Sequence, residues 1–173
     1  NLSIEKLLLI FNKYNITFKT LINSVKNLKN ISIHVFGDTI VDTFTYCNLI
    51  GGQVKTPTLS LMYNNHKNFL GGASVVAKHL SESGAKTYFT TLLGKDEFAE
   101  LVKKDCKKSK IILNEIQDKN RPTVNKNLFI SESHRILKVG TLDNSPINQE
   151  QTDQFIKILK PINIDDLKKK LKK

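Results

Sequence analysis

The chain has 173 residues, a length that suits one ordinary domain. With 39% hydrophobic and 25% charged residues, it has the composition of a globular protein and is too apolar for wholesale disorder. The net charge of +11 would suit a nucleic-acid partner, but only two of the 27 basic residues, Arg121 and Arg135, are arginine. Because phosphate and base recognition favours the guanidinium group, the charge indicates a solvated surface and a basic tail, and no nucleic-acid partner is expected.

The apolar, cysteine and histidine content argues against a membrane span, a disulfide framework and a metal site. No apolar run approaches the roughly 18 residues needed to cross a bilayer, so no membrane partner is expected. Two cysteines can build neither a disulfide framework nor a four-ligand zinc site, which predicts a reducing, cytoplasmic location. The four histidines fall in separate predicted elements, and no metal site is expected.

Residues 1–30 form a predicted helical extension. Apolar residues recur at helical spacing on either side of a break at Tyr14 and Asn15, which predicts two helices that pack against a neighbour. The first residue is Asn1 rather than methionine, which indicates a processed chain or a piece of a longer one.

Strand and helix signals then alternate from residue 31 to residue 116. Gly71 and Gly72 open one predicted helix, and Asp96 caps a second. This alternation predicts an α/β fold with a mostly parallel sheet. The predicted strands cover 31–36, 87–93 and 111–116, and the buried stripe of the first helix is predicted to contain Ala73, Val76, Ala77 and Leu80.

A second group of strand signals predicts a small β layer beside this body. It covers about residues 43–64 and 123–139, where short apolar runs are separated by glycine, proline and polar turns. Residues 146–173 are predicted to form a helix followed by a lysine-rich tail.

Candidate binding residues lie where the predicted strands end, which is where ligands bind in open α/β sheets. A carboxylate at Asp42 can accept hydrogen bonds from two adjacent hydroxyl groups, as on a sugar. Asp38 is interpreted equally well as a turn or capping residue and as a ligand. The glycine pair Gly71–Gly72 allows backbone N–H groups to approach a ligand closely. No P-loop and no dinucleotide-binding glycine motif is present.

The spacing of these features resembles the amino-terminal signature of the ribokinase/PfkB family of carbohydrate kinases. The signature comprises the run Phe-Leu-Gly-Gly-Ala-Ser-Val-Val-Ala over 69–77, then Gly84, then Gly94-Lys95-Asp96. Gly-Asp-Thr-Ile-Val-Asp over 37–42 is similar to the opening turn of the family. Arg-Pro-Thr over 121–123, with 135–139, is similar to the branch that contains the kinase domain of ADP-heptose synthase.

The resemblance implies a ribokinase-like fold, of which residues 31–145 are the amino-terminal part, including the β layer as a lid. It implies transfer of the γ-phosphate of ATP, with Mg²⁺, to a hydroxyl of a sugar, for which a heptose phosphate is one candidate. Asp42 would bind the sugar, with Gly71 and Gly72 giving backbone contacts and Asp38 a further candidate. Lys55 and Lys126 would reach an anionic sugar phosphate from the lid, and the lid would pair two subunits in a homodimer.

Two residues depart from the family pattern, and one motif is missing. Val75 stands where the family usually has a sugar-binding asparagine, and Gly140 where the heptose-kinase branch usually has an aspartate. The family's general base lies in a Gly-Ala-Gly-Asp motif that this sequence lacks, so no catalytic residue is expected in this chain and its activity alone is not expected. The alternative function is a non-catalytic sugar-binding or interaction module from a truncated kinase.

Overall fold

The computed structural model describes residues 3–52 and 58–159. Their order places two helices first, then strands and helices in alternation, and a final strand hairpin and helix. The helices are α1 (Ile4–Lys13), α2 (Phe18–Asn27), α3 (Ala73–Glu82), α4 (Glu97–Lys108) and α5 (Gln149–Leu159), with a short 3₁₀ turn at Leu28–Asn30. The strands are β1 (Ser32–Phe36), β2 (Thr39–Gly52), β3 (Leu59–Gly72), β4 (Lys86–Leu93), β5 (Ile112–Gln117), β6 (Asn125–Ser131) and β7 (His134–Thr141).

Strands β1, β4 and β5 form a parallel sheet in the order β1-β4-β5, called the body sheet. Parallel neighbours need crossover connections, and here helix α3 precedes β4 and helix α4 precedes β5. The buried core contains Phe89 of β4, Ala77 of α3 and Val102 of α4, each fully buried. The predicted α/β class with a parallel sheet and flanking helices is confirmed.

The other four strands form the lid sheet, in the order β3-β2-β6-β7. Its central pair, β2 and β6, is parallel, while both outer pairs are antiparallel hairpins. The first hairpin is longer than the predicted 43–64, because pairing runs from Thr39 opposite Gly72 to Gly52 opposite Leu59. The polar stretch Asn64–Asn68 has little intrinsic strand preference, and its pairing with β2 holds it extended.

One carboxylate connects the body sheet to the lid sheet. Asp96 Oδ1 accepts from the Ala99 N–H at 2.9 Å and so caps α4, while Oδ2 accepts from the Thr123 N–H at 2.7 Å. Burial opposes ionisation of Asp96, but these hydrogen bonds outweigh it and bring its pKa below the ordinary value. The predicted helix cap is therefore also an anchor for the segment that leads into β6.

One expectation about helix packing is wrong, and another stays a prediction. Val76 is 49% exposed, whereas Ser74 is buried and donates a hydrogen bond to the Gly71 carbonyl at 2.6 Å. The inward face of α3 is thus turned toward Ser74 and Ala77. Helices α1 and α2 touch through Phe11 and Phe18 and contain no buried residue, so the predicted packing against a neighbour is not seen among the described residues. None of the described helices has the length and apolar character to cross a bilayer.

Candidate functional site

Asp42 lies inside strand β2, not in a loop beyond β1 as the sequence suggested. Only two residues separate β1 from β2, so the chain re-enters a sheet before it reaches Asp42. Asp42 is opposite Phe69 of β3 and, in the parallel register, beside Lys126 of β6. Paired residues of adjacent strands project to one face of a sheet, and this face of the lid sheet is called the Asp42 face.

Gly71 brings the backbone of β3 directly against the Asp42 carboxylate. A Cβ atom at Gly71 would lie 2.5 Å from Asp42 Oδ2 and 3.6 Å from the Ile40 carbonyl oxygen. Any side chain at this position would displace the carboxylate, so the glycine keeps Asp42 in its present orientation. The predicted association of Asp42 with the glycine pair therefore has a geometric basis at Gly71.

Gly72 has a different reason to be glycine. Its φ of +61° lies in the left-handed region, and a Cβ there would lie 2.5 Å from the Asp38 carbonyl oxygen. That same carbonyl accepts a hydrogen bond from the Ala73 N–H at 2.9 Å, which fixes the start of α3. Asp38 is a turn residue through its backbone, while its side chain is exposed and forms no hydrogen bond with described residues.

Lys126 supplies positive charge on the Asp42 face. It pairs with Asp42 on one side and with Gly140 on the other, so the row across the lid sheet is Phe69, Asp42, Lys126 and Gly140. No described carboxylate lies within 4 Å of its ammonium group, which leaves that group available to an anion. Lys55, the other predicted lysine, lies outside the described residues.

Two aromatic rings flank Asp42, and the sequence reasoning did not assign either to the site. Phe44 follows Asp42 by two positions on β2, and its ring lies 5.3 Å from the ring of Phe69, centroid to centroid. Phe69 is 48% exposed, so the pair presents an apolar surface beside the carboxylate. The alternation Asp42-x-Phe44 in a predicted strand was the available signal.

Arg121, from the motif shared with the heptose-kinase branch, forms its hydrogen bonds with other residues of the same chain. Its guanidinium donates to the carbonyl oxygens of Asp143, Ser145 and Pro146 at 3.1, 2.8 and 3.3 Å. These hydrogen bonds hold the segment after β7 against the segment that precedes β6. In the described residues this motif arginine has a structural role.

The donor set for a metal ion is poor in the described part of the chain. No group of three or more His, Cys, Asp or Glu side chains there is arranged to hold a cation. Asp42 and Lys126 instead combine an acceptor for hydroxyl groups with a cation for an anionic group. With the adjacent rings, the arrangement suits a sugar that carries a phosphate.

Comparison with known proteins supports this interpretation of the fold. The family model "pfkB family carbohydrate kinase" matches residues 30–166, which extends past the boundary at 145 expected from the motifs. The chain is 27% identical to the bifunctional protein HldE of Campylobacter jejuni subsp. doylei over 142 residues, and 26% identical to that of Blochmanniella floridana over 129 residues. Those matches cover 79% and 75% of this chain but only 30% and 26% of the two relatives.

Solved structures show the same fold at low sequence identity. A protein from Clostridium perfringens assigned as a sugar kinase matches with a TM-score of 0.60 and 18% identity, over 75% of this chain and 40% of that one. Ribokinase from Giardia lamblia matches with a TM-score of 0.53 and 16% identity, over 75% of this chain and 42% of that one. The predicted family resemblance is confirmed, since the family model covers well over half of the residues: the chain belongs to the pfkB family of carbohydrate kinases.

Proposed function

We propose that this chain is the substrate-binding part of an ATP-dependent sugar kinase and that its substrate is a sugar phosphate, with a heptose phosphate as the first candidate. The observation that carries the proposal is the contact of the Asp42 carboxylate with the Gly71 backbone, in the same row as Lys126. Kinases of this family use ATP, and family membership rests on the sequence match over residues 30–166. The heptose preference is supported by the similarity to the HldE proteins.

Each residue of the Asp42 face has a distinct task in this proposal. The Asp42 carboxylate accepts hydrogen bonds from two adjacent sugar hydroxyls and so fixes which hydroxyl faces the phosphoryl donor. Lys126 pairs with the phosphate already on the sugar. The rings of Phe44 and Phe69 cover an apolar face of the sugar. Positioning of this kind contributes much of the rate in phosphoryl transfer.

No group of three or more His, Cys, Asp or Glu side chains in the described residues is arranged to hold a metal ion, so we place no Mg²⁺ ligand among them. Bound ATP supplies the transferred phosphate. We assign no residue of this chain to it, and the general base is likewise not assigned here. The proposed tasks of the chain are to bind and orient the sugar.

The proposal predicts Asp42-dependent sugar binding. In wild type, a hexose phosphate and a heptose phosphate are expected to shift the NMR amide signals of Gly71 and Lys126 in a saturable way. Asp42→Asn should weaken this binding at least about tenfold, because it removes a charged hydrogen-bond acceptor. Glu82→Gln is the matched control, since Glu82 is an exposed carboxylate on α3. Equal affinity in the two variants would contradict the assignment of Asp42.

Dimerisation through the lid is the second part of the proposal. Strands β3 and β7 are the outer strands of the lid sheet, and exposed strand edges recruit partner strands. The predicted apolar residues do lie on lid strands: Leu59, Leu61 and Tyr63 on β3, Phe129 on β6 and Ile136 on β7. The most exposed apolar residues on the two outer strands are Tyr63, 58%, with Leu59 and Leu137, 55% each.

A dimer of this kind should dissociate when charge is placed at both edges. Light scattering at tens of micromolar is expected to give a discrete dimer for wild type and a monomer for Leu59→Asp with Leu137→Asp. Val76→Asp changes an apolar residue of the body that is 49% exposed, close to the two leucines, and should leave the dimer intact. A monomeric wild type, or aggregation that the double variant does not change, would count against pairing through the lid.

The proposed compartment is the reducing cytoplasm. Cys47 and Cys106 are both buried and unpaired. Burial raises the pKa of the Cys106 thiol to about 11, so this residue is protonated and unreactive at neutral pH. Both cysteines therefore serve as small apolar residues in the packing, as predicted.

A further inference from the structure

A cavity lies on the face of the lid sheet opposite to the Asp42 face. It has a volume of about 540 Å³, within the usual range for small-molecule sites. Its floor is the lid sheet, and its wall is the first two turns of α4, including Glu97, Phe98 and Leu101. Side chains alternate across a strand, so the floor residues Thr43 and Thr45 face away from Asp42.

The floor of this cavity is polar where a sheet packed against a helix is normally apolar. Thr43, Thr45 and Asn125 are 5%, 5% and 6% exposed. Burying such groups is unfavourable unless they are hydrogen-bonded, and here they bond to one another and to the backbone. Asn125 Nδ2 donates to Thr43 Oγ1 at 2.7 Å and to the Val41 carbonyl at 3.0 Å.

Two amide groups on the floor retain unused donors. Thr43 donates to Asn68 Oδ1 at 2.8 Å and Thr45 donates to Asn127 Oδ1 at 2.7 Å, so both contacts use the amide oxygens. Neither Asn68 Nδ2 nor Asn127 Nδ2 has a hydrogen bond within the described residues. Among the described residues, Arg121 Nε is the one fully buried side-chain nitrogen or oxygen without a hydrogen bond, so the two amide nitrogens are at least partly accessible, and both residues line the cavity.

The described lining offers no lysine or arginine to an anionic ligand. Glu97 and His66 are the ionisable side chains among its described residues, apart from the Tyr63 phenol, and no lysine or arginine contributes. The absence of lysine and arginine from the described lining is informative in a chain with 27 basic residues, because a phosphate-binding site is expected to contain one or more of them. The Asp42 face, by contrast, carries Lys126.

The remaining lining completes a site for a polyhydroxylated molecule. Phe129 and Phe98 offer apolar surface for ring carbons, and the Tyr63 hydroxyl, held by His66 Nδ1 at 2.8 Å, offers a polar group at the rim. Together with the two amide donors and the Glu97 carboxylate, these groups provide donors, acceptors and a stacking surface. We propose that this cavity is a binding site for a neutral, monosaccharide-sized polyhydroxylated molecule, separate from the Asp42 face.

The test is an NMR titration of the full chain with D-mannose, a neutral probe of the proposed class. Saturable shifts are expected at the amides of Thr45, Asn68 and Asn127. The phosphate ester of mannose should bind this cavity at least about tenfold more weakly, because its charge faces Glu97 without a cation. Asp42→Ala should leave the response at these three residues unchanged, which makes the result independent of the proposed sugar-kinase site.

Variants of the cavity floor show whether the NMR shifts arise from mannose bound in the cavity. Thr45→Val with Asn127→Leu removes one hydrogen-bonded pair at similar volume and should weaken mannose binding at least about tenfold. Should this pair fail to fold, Phe98→Leu on the helix wall gives the same test with the sheet intact, and a reduced affinity is expected.

Three results would overturn the proposal. The first is no saturable shift up to the highest mannose concentration, and the second is binding that neither variant weakens. The third is a set of cavity shifts that follow protein concentration and not mannose, which would assign the cavity to a second copy of the chain.

Discussion

Gly94→Ala is expected to destabilise the fold by about 3 kcal/mol or more, among the largest effects of any single methyl group in this chain. A Cβ at this buried position would lie 2.5 Å from the Arg121 carbonyl oxygen, 2.7 Å from the Thr123 nitrogen and 2.6 Å from Asp96 Oδ2. Two of these atoms belong to the backbone and cannot rotate away. Relief would require separating the strand that follows Thr123 from the body.

Chemical denaturation of wild type and variant measures this effect, because small domains generally unfold in one cooperative transition. The separation should also break the hydrogen bond from the Gly94 N–H to Thr123 Oγ1, now 3.0 Å. Gly140→Ala is the matched control, since the added methyl would meet only the flexible end of Leu142, at 2.9 Å. A Gly94 variant as stable as the Gly140 variant would disprove this account of the junction.

Gly71→Ala is expected to remove sugar binding while leaving most of the stability in place. The added methyl would occupy the position of Asp42 Oδ2, whose carboxylate is partly exposed and can rotate toward solvent. Loss of an oriented, charged acceptor should reduce affinity for a sugar phosphate at least about tenfold. Isothermal titration calorimetry with the same hexose and heptose phosphates gives the affinity.

A double-mutant cycle shows whether the loss acts through Asp42. With Asp42→Ala already present, the nearest neighbour of the new methyl outside residue 42 is the Ile40 carbonyl oxygen at 3.6 Å, an ordinary contact. Gly71→Ala should then have little further effect on binding, so the two losses should be strongly non-additive. Additive losses would show that Gly71 acts on the ligand by a route other than the carboxylate.

Much of the fold could be predicted because local signals and tertiary structure agree. The alternation of strands and helices, the cap at Asp96 and the glycine before α3 are all local features, and each lies where the sequence predicts it. The reach of the lid hairpin could not be predicted, since Asn64–Asn68 are extended only through pairing with β2. Exposure of Val76 was missed because helical spacing alone does not say which of two adjacent stripes faces the sheet.

The candidate site, like the fold, has features that local sequence predicts and others that only the tertiary structure shows. Asp42 and Gly71 belong to two separate segments of the family resemblance, 37–42 and 69–77, and the pairing of β2 with β3 brings them together. The pairing of Asp42 with Lys126 depends on a strand register across 84 residues, which no local pattern specifies. The polar cavity behind the sheet was missed because threonine and asparagine are ordinary in strands and turns, and only the closure by α4 makes their burial unusual.

The parallel pairing of β2 with β6 also decides how the protein reaches its native state. Each lid hairpin is local in sequence, but a lone hairpin is marginally stable in water. Pairing of the two hairpins brings Val41 next to Asn125, and the intervening chain comprises β3, helices α3 and α4, and strands β4 and β5 of the body sheet. Closing so long a loop is entropically unfavourable until the body has formed and shortened it. The body thus serves as the crossover connection of the lid sheet, and we expect the lid sheet to close only after the body has formed.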